Sequence, residues 1–281
     1  MLDLTLFDRI KDYDVLVTGD DIIDEYCYVS PLGKNPKESI IVTEYRDKET
    51  FKGGTWAAAK HLESFCKSVR VITGENTVVK RRFVDDVYFR KLFEIHEYKN
   101  SGIRKQAVYQ DYDLVIVTDF GHGFINNGMI EEFNKARFLA VNAQSNSSNY
   151  GFNLVSKYPR ADYVVVDEPE ARLAAHDREG KIEDIILKLG FSKIIVTHGS
   201  HGAVGYDGSF FREKAHTSKV VDTMGAGDAF LSITAPLAKA GASMKELIHI
   251  GNAAGALKCG IVGHRKSVDK DLLLAYLNAA G

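Results

Sequence analysis

The run VVDTMGAGDAFLSITAPLAKAG, from Val220 to Gly241, constrains this chain more than any other stretch. Val220 and Val221 read as the end of a strand, and the spacing of Phe230, Ile233 and Leu237 predicts a helix after it. Between them lie Gly225, Ala226 and Gly227, followed by an acid, Asp228. Glycines at such a junction let the backbone approach a ligand and aim several N–H groups one way. At the positive end of a helix those donors form a cradle for phosphate. A carboxylate beside an anion cradle is repelled by the bound anion, so its presence needs a chemical reason. Taking a proton from a hydroxyl that attacks a phosphoryl group is one. A Gly-rich strand-to-helix turn with an acid near its N-cap is the plain structural reading of the same residues. Pro236 falls inside the helix and is expected to kink it.

The flanking sequence alternates strands and helices. DLVIVTDFGHG (Asp113 to Gly123), FLAVNAQ, DYVVVDEPE and KIIVTHG are apolar runs separated by helical segments, the first of them from Asn127 to Ala136. Strands of that kind predict a mainly parallel sheet covered on both faces. DVLVTGD, from Asp14 to Asp20, reads as a first strand ended by Gly19, and DDIIDEYCYV as a second, less buried one. The GxGxxG of a dinucleotide-binding turn is missing there. Asp20, at the carboxyl end of the first strand, and Asp24 are instead suited to accept hydrogen bonds from adjacent hydroxyls. A solvated acidic loop with Asp21 and Glu25 is the competing reading.

Composition narrows the partners. The 281 residues suffice for one large α/β domain or two small ones. Lys+Arg of 36 against Asp+Glu of 38 leaves a net charge of −2, which provides no electrostatic footprint for nucleic acid or an anionic membrane. No apolar run is long enough to span a bilayer, and MLDLTLFDRIKDYD is too acidic for a signal peptide, so a cytoplasmic protein is expected. Cys27, Cys66 and Cys259 are far apart with no CxxC, which suits a reducing compartment and argues against a disulfide framework or a structural metal site.

The string D-T-x-G-A-G-D-A-F beginning at Asp222 resembles the signature of the ribokinase-like (PfkB) carbohydrate kinases, and the other segments follow that family's order over essentially the whole chain. The resemblance implies a ribokinase-like three-layer α/β sandwich, with a mainly parallel central sheet and a small β lid. Residues 1–281 would form one domain, with lid segments at about 22–50 and 77–98. It implies transfer of the ATP γ-phosphoryl group to a sugar hydroxyl, with Asp228 as general base and Gly225, Ala226 and Gly227 as the anion hole. Asp20, Asp24, Gly53 and Gly54 fall at the sugar site. The family usually follows the diglycine with an Asn, where this chain has Trp56, Ala57 and Ala58.

Where the family has N-x-x-E for magnesium, this chain has Asp167 and Glu170, an exchange that oxygen-seeking Mg2+ tolerates. The same residues also read as a helix cap, with Pro169 in the first turn. Thr197, Gly199 and Gly202 match the T-x-G-x-x-G turn beside the nucleotide, and Asn252 falls near adenine on a helix whose small residues equally suit tight packing. Asp222 resembles the family's monovalent-cation site, so ATP, Mg2+ and K+ are the implied cofactors.

The lid segments resemble those of heptose-phosphate kinases, the kinase half of bifunctional ADP-heptose synthesis proteins. The match lies in GDxxxDxYxY, a Pro-containing turn, the diglycine, and a basic strand with Arg82 and Arg90. That family's D-Y-x-K-G appears here as Asp119-Phe120-Gly121-His122-Gly123, which puts Asp119 at the substrate site and a His in place of the Lys. The implied substrate is a heptose 7-phosphate, phosphorylated at its anomeric hydroxyl. An unphosphorylated sugar or nucleoside is the alternative, distinguished by whether Arg82, Arg90 and Lys34 point into the site. A catalytically silent binding protein is the other, motivated by Asp167, Ala57 and His122 and opposed by Asp228. The chain ends at Gly281 without room for a nucleotidyltransferase, so that activity is expected elsewhere or not at all. SIIVTEY offers an edge through which two lids could pair in a homodimer.

Overall fold

The computed structural model describes residues 3–100, 107–216 and 219–280. In chain order the elements are α1 Leu6–Ile10, β1 Asp14–Lys34, β2 Ile41–Gly53, α2 Gly54–Lys60, β3 Ser68–Asp85, β4 Lys91–Asn100, β5 Leu114–Asp119 and α3 Asn127–Phe133. Then follow β6 Leu139–Ala143, β7 Tyr163–Asp167, α4 Glu168–Ala175, α5 Ile182–Leu189, β8 Ile194–Thr197, β9 Ala203–Tyr206, β10 Phe210–Glu213, α6 Ala226–Lys239, α7 Met244–Cys259 and α8 Lys270–Ala280. Among the described residues the strands form a single ten-stranded sheet in the order β10-β9-β8-β7-β6-β5-β1-β3-β4, with β2 beside β1. The pairs from β3 through β1, β5, β6 and β7 to β8 are parallel. Those of β8 with β9, β9 with β10, β3 with β4 and β1 with β2 are antiparallel.

Alternation along the strands divides the core. Val15, Val17, Leu114 and Ile116 pack with α1, α2, α6, α7 and α8 on one face. Leu16, Val115 and Val117 pack with α3, α4 and α5 on the other. Both faces of these strands are covered, as the non-alternating apolar runs require. Since side chains of a strand alternate in direction, consecutive valines and isoleucines serve two cores at once.

The first two strands expected from the sequence are one. β1 runs unbroken from Asp14 to Lys34, with a register shift against β3 between Gly19 and Asp21. Below that shift β1 pairs with β5, at Val15 to Gly19; above it β1 pairs with β2, from Ile22 onward. The exchange of neighbour divides the sheet: the first halves of β1 and β3 stay with the core strands, their second halves with β2 and β4 form the expected lid layer, and the cleft lies between the two. A ligand site at such a switch of neighbours follows from the topology. Gly19 is needed at this point, because a Cβ there would lie 2.0 Å from the Thr118 carbonyl oxygen.

One further expectation changes. Val220 and Val221 are exposed and outside any strand; the Val221 and Asp222 amides donate to the Cys259 carbonyl at the end of α7. α6 continues through Pro236, with the Ala240 amide donating to the Pro236 carbonyl.

Candidate active site

A cleft of about 960 Å³ lies between lid and core. Asp24, Lys80 and Arg82 reach it from β1 and β3 of the lid; Asp167, Glu170, Thr197, Gly199, Gly202 and Asn252 reach it from the core. Gly225, Ala226, Gly227 and Asp228 line its floor. Gly225 is the N-cap of α6 with φ of 75°, a left-handed conformation natural to glycine. The first amides of α6 therefore lack intrahelical acceptors and carry the positive end of the helix dipole. Gly225 is confined as well: a Cβ would lie 3.1 Å from the His264 ring and 3.2 Å from the Lys258 side chain.

Asp228 is buried in the first turn, and its Oδ1 accepts from Gln144 Nε2 at 2.9 Å. Among the described residues Oδ2 accepts no hydrogen bond. Burial raises the Asp228 carboxyl above its ordinary range, against the pull of His264, Gln144 and Lys258. Lys258, fully buried on α7, donates from Nζ to the Met224 and Gly263 carbonyls at 2.7 Å each and so props the Gly225 loop from behind.

Asp24 is buried against Arg82 Nη1, with His264 Nε2 3.2 Å from its Oδ2. Burial alone would raise the Asp24 carboxyl, yet His264 and Arg82 hold it below its ordinary value. Arg82 also donates from Nε to Glu94 at 2.5 Å, so both arms of the guanidinium have carboxylate partners. Lys80 has no ion-pair partner among the described residues, and burial lowers its pKa. Gly53 is what lets Asp24 sit here, since a Cβ would fall 1.9 Å from Asp24 Oδ2.

Asp167 and Glu170 form a capping box on α4. Asp167 Oδ1 accepts from the Glu170 amide at 2.8 Å, and Glu170 Oε2 accepts from the Asp167 amide at 2.9 Å. Glu170 Oε1 accepts from the Ser145 amide at 3.1 Å. Burial raises both carboxyls, and for Glu170 the neighbouring Asp167 charge adds to it.

Asp20, Gly53, Asp119 and Asp222 do not line the cleft. The Asp20 carboxylate accepts from the Phe120, His122 and Phe124 amides and so ties down the loop after β5. Burial raises Asp20 to about 6 despite those donors, with the Asp119 charge adding. Asp119 is held by Tyr158 Oη, Asn153 and Lys157. Asp222 accepts at Oδ1 from Lys91 Nζ (2.8 Å) and the Met224 amide (3.2 Å), and at Oδ2 from Tyr26 Oη (2.8 Å) and the Gly263 amide (2.9 Å). The carboxylate named for a monovalent cation is thus engaged by an ammonium group from the lid. Lys34 and Arg90 are exposed and away from the cleft, leaving Arg82 as the one member of that trio to reach it. His122 is half-buried outside the lining, its Nε2 without a hydrogen-bond partner among the described residues, and burial lowers it to about 4.

Lys80, Lys258 and His264 were not singled out from sequence. Lys258 reads locally as a helix C-terminal charge, and His264 lies in a polar run, GHRKS, that looks solvated. Only the tertiary fold brings them behind Gly225.

A family model described as pfkB family carbohydrate kinase matches residues 126–271. The bifunctional protein HldE of Desulfatibacillum aliphaticivorans is 26% identical over 324 residues, covering 98% of this chain and 64% of that protein. HldE of Paramagnetospirillum magneticum is 30% identical over 315 residues, covering 95% and 64%. The chain thus spans less than two thirds of the length of these curated relatives. The structure of Arabidopsis thaliana ribokinase complexed with ribose and ATP superposes with a TM-score of 0.69 at 16% identity, over 95% of this chain and 99% of that one. The fold is therefore ribokinase-like. With a matched stretch that takes in just over half its residues and the whole Gly225–Asp228 floor of the cleft, this chain belongs to the pfkB family of carbohydrate kinases, enzymes that take a phosphoryl group from ATP.

Proposed function

We propose that this chain transfers the γ-phosphoryl group of ATP to the anomeric hydroxyl of a heptose 7-phosphate held beneath the lid. The observation that carries the transfer is Asp228, buried in the first turn of α6 beside the left-handed Gly225 cap, with one carboxylate oxygen unengaged among the described residues. In this reading Asp228 removes the hydroxyl proton, the sugar oxygen attacks the γ-phosphorus, and the bond to the bridging oxygen of ADP breaks. The amides of Gly225 to Gly227 stabilise the charge that develops on the phosphoryl oxygens. Gln144 orients Asp228, Asp24 accepts from a sugar hydroxyl, and Thr197, Gly199, Gly202 and Asn252 border the nucleotide.

The donor set at Asp167 and Glu170 fits a magnesium ion. These are adjacent acids without a cationic side chain, and the protein uses both Glu170 oxygens but only one of Asp167. Asp167 would hold the ion directly and Glu170 would order its waters; when bound, the ion neutralises phosphate charge. Asp222 has no oxygen left for potassium, so turnover is expected not to require it.

The heptose 7-phosphate reading is supported by the HldE relatives and by Lys80, a cleft lysine with no ion pair among the described residues. A second reading, a neutral sugar or nucleoside, is favoured by Arg82, whose charge is already matched by Asp24 and Glu94. Exposed Ile41, Tyr45, Phe93 and Ile95 on the lid support pairing of two copies through that layer. Three free thiols suit a cytoplasmic setting, and among the described residues no helix is long and apolar enough to cross a membrane.

The test is ADP release with Mg-ATP over a panel of sugars and sugar phosphates, run beside Asp228→Asn. Turnover on heptose 7-phosphate that disappears in the variant is the expected result. Turnover on neutral sugars alone overturns the phosphate reading and keeps the base, and Asp228-independent turnover overturns both.

A further inference from the structure

A second cluster of chemically active side chains lies outside the catalytic floor. Glu213 ends β10, His216 follows in the next loop, and His249 projects from α7. Glu213 Oε1 is 2.7 Å from His249 Nδ1 and 3.1 Å from His216 Nε2, and the three donor atoms all lie within 4.8 Å of one another. Two imidazole nitrogens thus converge on the same carboxylate oxygen. We infer that Glu213, His216 and His249 form a binding site for a zinc-class divalent transition-metal ion at the rim of the cleft.

The donor set selects the metal. Two neutral imidazoles and one carboxylate suit Zn2+, Co2+ or Ni2+, whereas Mg2+ prefers oxygen ligands throughout. Bond lengths of about 2 Å place tetrahedral ligands roughly 3–4 Å apart, which is the range of separation these three donor atoms span. The supporting structure is already in place. The His216 ring stacks on Tyr276 with centroids 5.8 Å apart, which fixes its plane, and the Asn252 side chain donates to the Lys214 carbonyl, which fixes the loop between Glu213 and His216. With side-chain exposures of 24% for Glu213, 12% for His216 and 35% for His249, the cluster is half-buried and leaves a coordination position to water. On binding, the ion takes the place of the proton that each inner imidazole nitrogen shares with Glu213 Oε1; each ring turns to the tautomer with its proton on the outer nitrogen, and any excess proton leaves to solvent. The oxygen ligands at Asp167 and Glu170 belong to α4 and its N-cap, so the two sites share no residue.

Zn2+ titrated calorimetrically into the metal-free full chain is expected to bind with one equivalent. His249→Ala and Glu213→Gln should each weaken that binding by roughly tenfold or more. Co2+ should give visible bands of a nitrogen–oxygen site with no thiolate charge transfer. Absence of saturable binding, binding unchanged in both variants, or cobalt–thiolate absorption pointing to Cys259 overturns the inference. Glu213→Gln is nearly isosteric, so it decides the matter should His249→Ala fail to fold by circular dichroism.

Discussion

Asp228 needs both its burial and its hydrogen bond. Asp228→Asn, which removes the proposed base, is expected to lower kcat by about 10²–10⁴-fold, with sugar KM changed far less, in steady-state assays of ADP release. Burial raises its pKa above the ordinary carboxylate value of 3.8, and the base works only when ionised. Activity should therefore fall as pH drops through that raised pKa. Gln144 stabilises the charged form, so Gln144→Leu should move the acid limb of the kcat/KM profile to higher pH, while a limb left in place would remove Gln144 from this role. Asp228 and the glycines before it were legible in the sequence because one contiguous string carries them. Gln144, just past the end of β6, reads locally as a pocket-lining residue, but its bond to Asp228 from 84 positions away, and the support of Lys258 from a neighbouring helix, follow no local pattern.

Strands β1 and β4 meet the Gly225 loop through Asp222. Tyr26 on β1 and Lys91 on β4 both bond its carboxylate, which in turn accepts from the Met224 amide just before Gly225. Burial would raise Asp222, but Lys91, the Gly263 amide and Tyr26 hold it at about 2, so it remains a charge that needs a cation. Lys91→Ala leaves that buried carboxylate short of its ammonium partner. The expected outcome is a stability loss of about 1–3 kcal/mol, less than for a fully buried pair because Lys91 is partly exposed, together with reduced kcat. Ammonium ions should partly restore both the melting temperature and the turnover, and sodium should do so less; equal response to any salt would reduce the contact to an ordinary surface pair. The sequence marked Asp222 through its motif and marked the lid as strand-rich. That a lid lysine meets this acid depends on the antiparallel register of β3 and β4, which turn residues and packing set together.

At the scale of the molecule, His61 ties α2 to the segment before α8, its Nδ1 accepting from the Val268 amide at 2.9 Å. Burial, with Lys258 and His264 adding, lowers its pKa from 6.5 to about 3. The folded state therefore resists a proton that the unfolded chain binds, so this contribution is intact above pH 6.5 and is lost as pH falls toward 3. Between pH 7 and 5 the loss amounts to about 2 kcal/mol. Urea midpoints for the protein and for His61→Asn, which keeps an acceptor without the titration, should diverge by that amount on acidification; parallel curves would assign the acid sensitivity to other groups. The layered architecture was readable beforehand because burial on both faces of a parallel sheet leaves runs such as VIVT and VVVD that no other arrangement explains as simply. By itself the sequence determined the strand and helix alternation, the small-residue entry to α6 at Gly225–Asp228 and the near-balanced net charge of −2, since each is a local pattern or a sum over residues. The tertiary structure decided that Asp20 and Asp119 brace a loop, that Arg82 already has partners, and that β1 is one strand serving both core and lid. Those outcomes turn on which distant donors share a low-dielectric interior, and burial and pairing are properties of the assembled sheet.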